Sequence, residues 1–284
     1  MIVWLASYPK SGNTLIRSML AAYFFSKDGI YNFDLIKNIK QFPKTSLFEK
    51  MAINIRNERE IVKNYIAAQE TFNKKNSIQF LKTHSYLFDI EGHRFTDLKN
   101  SLGVIYIVRD PRNVVTSWAN FANISIEKAA DKLINTTRMG GNIYSFDKND
   151  QIIVYTGNWS SHYRSWKSFK YQDRYLLIKY EDLINNRDFI FKKILKFLYK
   201  LKNTKFIINQ KKFKNVIETT DFHKMKEIEE QKGFFEGKVN LQTGKRIPFF
   251  NLGPKNDWKK LLNIETKKNI EEAFKKEMVE LGYL

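Results

Sequence analysis

Near the start of the chain, eight consecutive residues, Ser7-Tyr8-Pro9-Lys10-Ser11-Gly12-Asn13-Thr14, are of types that bind anions. Lys10 offers a cation, and Ser11, Asn13 and Thr14 offer side-chain donors. Gly12 lets the backbone approach a ligand closely. The chemistry is that of a phosphate or sulfate cradle. It is a poor match to a nucleoside-triphosphate loop. That motif, G-x-x-x-x-G-K-[ST], puts its lysine after the second glycine, whereas Lys10 stands two residues before Gly12 with no glycine upstream. The plainer alternative is a polar turn whose Ser and Asn only cap a helix.

Two other places carry chemistry. Lys82-Thr83-His84-Ser85 follows the apolar run Ile78-Gln79-Phe80-Leu81. His84 is a candidate general base, because an unperturbed imidazole titrates near neutrality; the alternative is a surface histidine in a loop. Arg109 follows Gly103-Val104-Ile105-Tyr106-Ile107-Val108, and Ser117 comes eight residues later. Arg109 is either a guanidinium clamp on phosphate or half of a salt bridge with Asp110 or another acid. Trp159, His162, Tyr163 and Trp166 fall on one helical face, which reads as core packing. The four histidines lie far apart with no H-x₃-H spacing, and there is no cysteine. Disulfides and thiolate sites are excluded, and no metal is expected.

Strands and helices must position these groups. Ile2–Ala6, Ile78–Leu81, Gly103–Val108 and Arg174–Tyr180 read as buried strands. Helices are expected over Leu15–Tyr23, Glu58–Phe72, from Pro111 through Trp118, Ile124–Thr137, Asn158–Phe169, Phe189–Leu201 and Glu265–Leu281. Asp110 and Pro111 form a helix-start signal. Residues 27–57 read as loops and short helical turns, Thr220–Met225 opens a short charged helix, and residues 231–257 read as a long mobile loop. Alternating strands and helices, with polar residues at the strand ends, predict an α/β fold: a doubly wound, mostly parallel sheet flanked by helices. No linker divides residues 1–284, so one domain is expected.

Lys plus Arg is 49 and Asp plus Glu is 30, a net charge of +19. Anionic partners are favoured, but the lysines are dispersed in pairs, which argues against a specific nucleic-acid surface. No apolar segment reaches the roughly 18 residues of a transmembrane helix. The first apolar run is short and has no basic region before it, so a signal peptide is not expected. A cytoplasmic protein is the expectation. Oligomeric state is not readable, and a homo-oligomer stays open.

Taken in order, these segments resemble the sulfotransferases that use 3′-phosphoadenosine 5′-phosphosulfate (PAPS). Ser7–Thr14 is similar to the family's 5′-phosphosulfate loop. Val108-Arg109-Asp110-Pro111-Arg112-Asn113-Val114-Val115-Thr116-Ser117 is similar to its 3′-phosphate motif. Lys82-Thr83-His84 resembles the segment with the catalytic histidine, and Tyr180-Glu181-Asp182-Leu183 matches a strand end. Thr220-x-Phe222-x-x-Met225 resembles the adenine-contacting segment. Gly253-Pro254-Lys255-Asn256-Asp257-Trp258-Lys259 resembles the C-terminal glycine–tryptophan motif. Two departures stand out. Asn251-Leu252 replaces a common Arg-Lys before Gly253, leaving Arg246, Lys245 or Lys255 as substitutes. Asn13-Thr14-Leu15 replaces Thr-Thr-Trp, leaving Phe222 to provide a ring against adenine.

The resemblance implies a P-loop-like fold and in-line sulfonate transfer to an acceptor hydroxyl or amine, with adenosine 3′,5′-bisphosphate (PAP) as product and no metal. It implies that Lys10 neutralises the leaving group, His84 takes the acceptor proton, Lys82 and Ser117 orient the group, and Arg109 and Ser117 hold the 3′-phosphate. Ser11, Gly12, Asn13, Thr14, Tyr180, Thr220, Phe222, Met225, Gly253 and Lys255 complete the implied cofactor contacts. Residues 27–57, 138–152 and 231–250 are the expected acceptor-facing segments, for a small-molecule, glycan or lipid acceptor. A nucleotide kinase or hydrolase, or a basic nucleic-acid-binding protein, are the competing readings.

Overall fold

The computed structural model describes residues 1–73, 77–140, 152–240 and 243–284. Five strands form one sheet: β1 (Ile2–Ser7), β2 (Lys40–Gln41), β3 (Gln79–Thr83), β4 (Ser101–Val108) and β5 (Tyr175–Lys179). Their order is β2-β3-β1-β4-β5, and every neighbouring pair is parallel. The principal helices are α1 (Asn13–Phe25), α2 (Pro111–Ala122), α3 (Trp159–Trp166), α4 (Arg187–Leu201), α5 (Phe222–Lys232) and α6 (Ile264–Glu280).

Side chains on β1 alternate between the two faces, as a strand's period of two requires. Trp4 and Ala6 enter one apolar cluster with Phe42, Tyr65, Phe95, Trp159, Trp166 and Phe274. Val3 and Leu5 enter the other with Ile16, Met19, Leu20, Phe191 and Leu195. Both faces of the sheet are thus covered, which is why its strands read as unbroken apolar runs. The aromatic face of α3 lies in the first cluster, as its spacing predicts.

Register brings the strand ends together. Ala6 pairs with Thr83, Ser7 with Ile107, and Val108 with Lys179. Hence the residues just past these strands, Tyr8–Thr14, His84, Arg109 and Tyr180, emerge along one edge. The chain crosses from β3 to β4 over β1, so this edge is a topological switch point, where open α/β sheets bind ligands.

Three expectations need correction. Strand β2 lies within a region read as loops and helical turns; two residues are too few to show periodicity. The helix expected over Glu58–Phe72 is two helices, Glu58–Lys63 and Tyr65–Asn73. Asn64 breaks it, its side chain donating to the Glu60 carbonyl at 2.8 Å. Residues 231–257 are not featureless: Lys238–Val239 pairs antiparallel with Arg246–Ile247. None of the helices formed by the described residues is long and apolar enough to cross a membrane.

Candidate active site

The strand-end turns open into a cavity of about 860 Å³. Helix α1 begins on Gly12, in the left-handed region with φ 101° and no side-chain cap. The capping role open to Ser11 and Asn13 is therefore not taken. Asn13 instead ties the turn to its strand, donating from Nδ2 to the Leu5 carbonyl at 2.9 Å and to Ser7 Oγ at 3.2 Å. An uncapped N-terminus presents free amides and a partial positive charge. A Cβ on Gly12 would lie 2.4 Å from the Tyr180 ring, so only glycine fits beneath it.

Lys10 also has positive φ, 64°. Its ammonium lies 4.1 Å from the Phe121 ring centroid and 4.3 Å from that of Phe249, both within cation–π range. Desolvation, then Arg109, pushes its pKa down to about 7, with Lys82 and Lys238 adding to the effect and Glu236 opposing it. Lys10 is thus a cation held in an unfavourable place, one that gains charge when an anion arrives.

Arg109 is 6% exposed and stacks on Tyr180 at 4.2 Å. Its Nη1 donates to the Lys10 carbonyl at 3.2 Å, joining the two motifs. Asp110 is occupied elsewhere: it caps α2 through the Arg112 amide and pairs with the Arg112 guanidinium at 2.7 Å. Among the described residues Arg109 has no ion pair. Its Nε and the Ser11 hydroxyl are buried without a hydrogen-bond partner among the described residues. The unspent donor on Arg109, which lines the cavity, suits an anionic ligand.

Thr83 carries the chain to His84, whose Nδ1 lies 2.7 Å from the Ser7 carbonyl. A carbonyl accepts, so Nδ1 bears the proton and Nε2 the lone pair. Burial, then Lys82, holds the His84 pKa well below its ordinary value. His162 fixes the segment from behind: Nε2 donates to the His84 carbonyl at 3.1 Å, and Nδ1 accepts from the Tyr106 hydroxyl at 2.8 Å. Burial holds His162 down to about 3, so it stays neutral.

Lys10, Gly12, Asn13, Thr14, Lys82, His84, Arg109, Ser117, Tyr180, Phe222, Met225 and Gly253 all line the cavity. Ser11 is fully buried behind it. Gly253 stands against Phe222, with space for a Cβ closed by the ring at 2.3 Å. Thr220 is not among the lining residues; it is buried, donating to the Val216 carbonyl at 2.7 Å and accepting from Arg187 at 2.9 Å. Lys255 is exposed and also lies outside the lining, as do Lys245 and Arg246. Asn251 and Leu252 do line the cavity, so the loop puts amide and apolar groups, not cations, at that wall. The three expected acceptor-facing segments each contribute lining residues, among them Lys40 and Phe42, Met139 and Ile152, and Phe249; residues 141–151 lie outside the described residues.

Sequence reasoning missed Arg17, Glu236, Phe121 and Phe249. Arg17 is the one charged residue in α1, flanked by Ile16, Ser18 and Met19. A charge at the centre of an apolar helix is the signal that would have singled it out. Glu236 is the one acid between Gly233 and Lys255. Burial would raise its pKa, but Arg17 and Lys82 hold it down to about 2.

The comparisons with known proteins agree with this fold. A family model described as sulfotransferase domain matches residues 2–282. Rat sulfotransferase 2A2 is 28% identical over 176 residues, 62% of this chain and 56% of that protein. The chain thus matches only about half the length of this relative. Mouse sulfotransferase 1 family member D1 is 25% identical over 282 residues, 97% of this chain and 83% of the relative. Among solved structures, mouse sulfotransferase SULT7A1 complexed with PAP superposes with a TM-score of 0.58 at 18% identity, covering 98% of this chain and 84% of that one. Retinol dehydratase in complex with androsterone and PAP gives 0.62 at 16% identity, covering 98% and 80%. At such identities the structures speak for the fold. The domain match, which runs almost from end to end, establishes the family: this chain belongs to the sulfotransferase-domain family.

Proposed function

We propose that residues 1–284 act as one sulfotransferase unit that moves a sulfonate group from PAPS to an acceptor hydroxyl or amine. One observation carries this reading. Two anion-binding features, the uncapped α1 N-terminus with Lys10 and Arg109, which has no ion pair among the described residues, meet through a single hydrogen bond, and the lone pair of a neutral histidine lies at the next strand end. PAPS has two anionic groups at its 5′ and 3′ positions and needs both seats. Arg109 Nε, buried without a hydrogen-bond partner among the described residues, is a donor that such a group would satisfy.

In the proposed reaction, the acceptor oxygen forms a bond to sulfur as the bridge from sulfur to the 5′-phosphate breaks. The bridging electron pair leaves on PAP. The acceptor proton passes to His84 Nε2, aided by the Ser7 carbonyl that holds Nδ1–H. Lys10 neutralises the charge that builds on the bridge, the step such transfers depend on most. Arg109 and Ser117 hold the 3′-phosphate, and the Phe222 ring lies against adenine. Lys82 and Ser117 orient the sulfonate. The acceptor enters between residues 37–46, Met139, Ile152 and Phe249.

Labelled PAPS and a panel of hydroxyl and amine acceptors test this. Transfer should appear with the wild type and fall by about 10²-fold or more in Lys10→Ala, while a cooperative thermal unfolding transition shows that the variant is folded. Near-normal turnover by Lys10→Ala would remove Lys10 from the mechanism.

A further inference from the structure

Arg17 and Glu236 take no part in the reaction proposed above, yet both line its cavity. Arg17 is 3% exposed. Its Nη1 donates to Glu236 Oε1 at 2.7 Å, and its Nη2 to the Ile39 carbonyl at 3.3 Å. Lys82 Nζ lies 3.5 Å from the same oxygen. One carboxylate oxygen is shared by two buried cations.

The cations and the anion differ in what carries them. Arg17 sits on α1, one turn beyond its N-terminus. Lys82 sits on β3, two residues before His84. Both elements are packed into the core. Glu236 arrives on the segment between α5 and the hairpin strand Lys238–Val239, beside an exposed Phe235. Two cations against one carboxylate leave the seat with a net positive charge, and burial makes an unpaired cation there costly. Any anion of the right size can meet that demand, whether it belongs to this chain or to a ligand.

We propose that Arg17 and Lys82 form an anion seat beside His84, that Glu236 fills it as an internal stand-in, and that an anionic group of a ligand displaces Glu236 and takes the seat. The ligand group is either the sulfonate of the donor or an acidic group on the acceptor. The donor arm rests on the sulfotransferase reading; the seat itself does not.

Glu236→Gln removes the charge and keeps the shape. Inorganic sulfate alone should raise the melting temperature of E236Q more than that of the wild type. The excess should vanish in the double variant Arg17→Gln/Glu236→Gln. By calorimetry E236Q should bind PAPS about three- to tenfold more tightly, because a seat filled mostly by its own carboxylate weakens apparent affinity by the fraction left free. If PAP, which lacks the sulfonate, stays within about twofold, the donor takes the seat. If PAPS affinity is unchanged but KM for para-hydroxybenzoate falls relative to phenol, the acceptor takes it. Equal stabilisation of wild type and E236Q by sulfate overturns the seat. So does a parallel loss of PAPS and PAP binding in E236Q, the signature of a fixed brace. Should E236Q not fold, Glu236→Asp, whose shorter carboxylate reaches Arg17 and Lys82 less well, carries the same comparisons. A wild type that binds neither PAP nor PAPS would defeat the functional reading, and the sulfate comparison alone would then decide the seat.

Discussion

Lys10 and His84 are both held away from their charged forms, and with opposite consequences. Burial and Arg109 bring Lys10 to about 7, so in the empty site it loses its proton as pH rises through neutrality. An anion needs the protonated form. PAP affinity should therefore be greatest below about pH 7 and fall by up to about tenfold per unit above it; for PAPS, whose sulfonate Lys82 would meet, Lys82, lowered to about 8 chiefly by burial, adds a second step. Calorimetry from acid to alkaline pH checks this, and Lys10→Met should remove the first step. A flat profile in the wild type would deny Lys10 its place at the anion. His84 is kept neutral, which preserves its lone pair on the acid side of neutrality. His84→Ala should lower kcat by about 10²–10⁴-fold and leave PAP binding near normal; unchanged kcat would mean that another group takes the proton.

At the scale of elements, the site depends on how strands end and helices begin. Gly12 must hold φ 101° beneath the Tyr180 ring. Gly12→Ala should cost about 1–3 kcal/mol in backbone strain and displace Tyr180 from Arg109, so that PAP binding weakens along with stability. Asp110 does two jobs at once, capping α2 and pairing with a buried Arg112. Asp110→Ala should destabilise the fold by about 3 kcal/mol, measured by urea denaturation; a change under about 1 kcal/mol would mean that Glu271, 2.5 Å from Arg112, suffices alone. These turns were legible in the chain because each follows a mostly apolar run whose length is that of a strand. Their convergence was legible too, since parallel strands bring like ends to one edge. Strand β2 was not, because two polar residues carry no pattern. Nor was the break at Asn64, where a local side-chain hydrogen bond overrides helical periodicity.

Across the whole molecule, contacts between distant parts of the chain decide what sequence alone leaves open. Arg17 and Glu236 are separated by 219 positions, so neither residue's neighbours announce the pair. Phe121 and Phe249 meet over Lys10 from α2 and from the segment after the hairpin, a cage that no local motif encodes. The departure at Asn251-Leu252 was visible as a departure, but what stands at that wall emerged only from the fold. The net charge of +19 adds a long-range attraction for anions, so association with the donor, anionic at both its 5′ and 3′ positions, should slow as ionic strength rises. The central claim is a site with separate seats for a 5′ and a 3′ anion on one adenosine. A calorimetric titration of the wild type and Arg109→Ala with PAP, 5′-AMP and ATP tests it most directly. PAP should bind far more tightly than 5′-AMP, and Arg109→Ala should lose roughly 1.5–3 kcal/mol of PAP binding while leaving 5′-AMP unchanged. Binding of ATP in preference to PAP, or a PAP affinity indifferent to Arg109, would contradict the account.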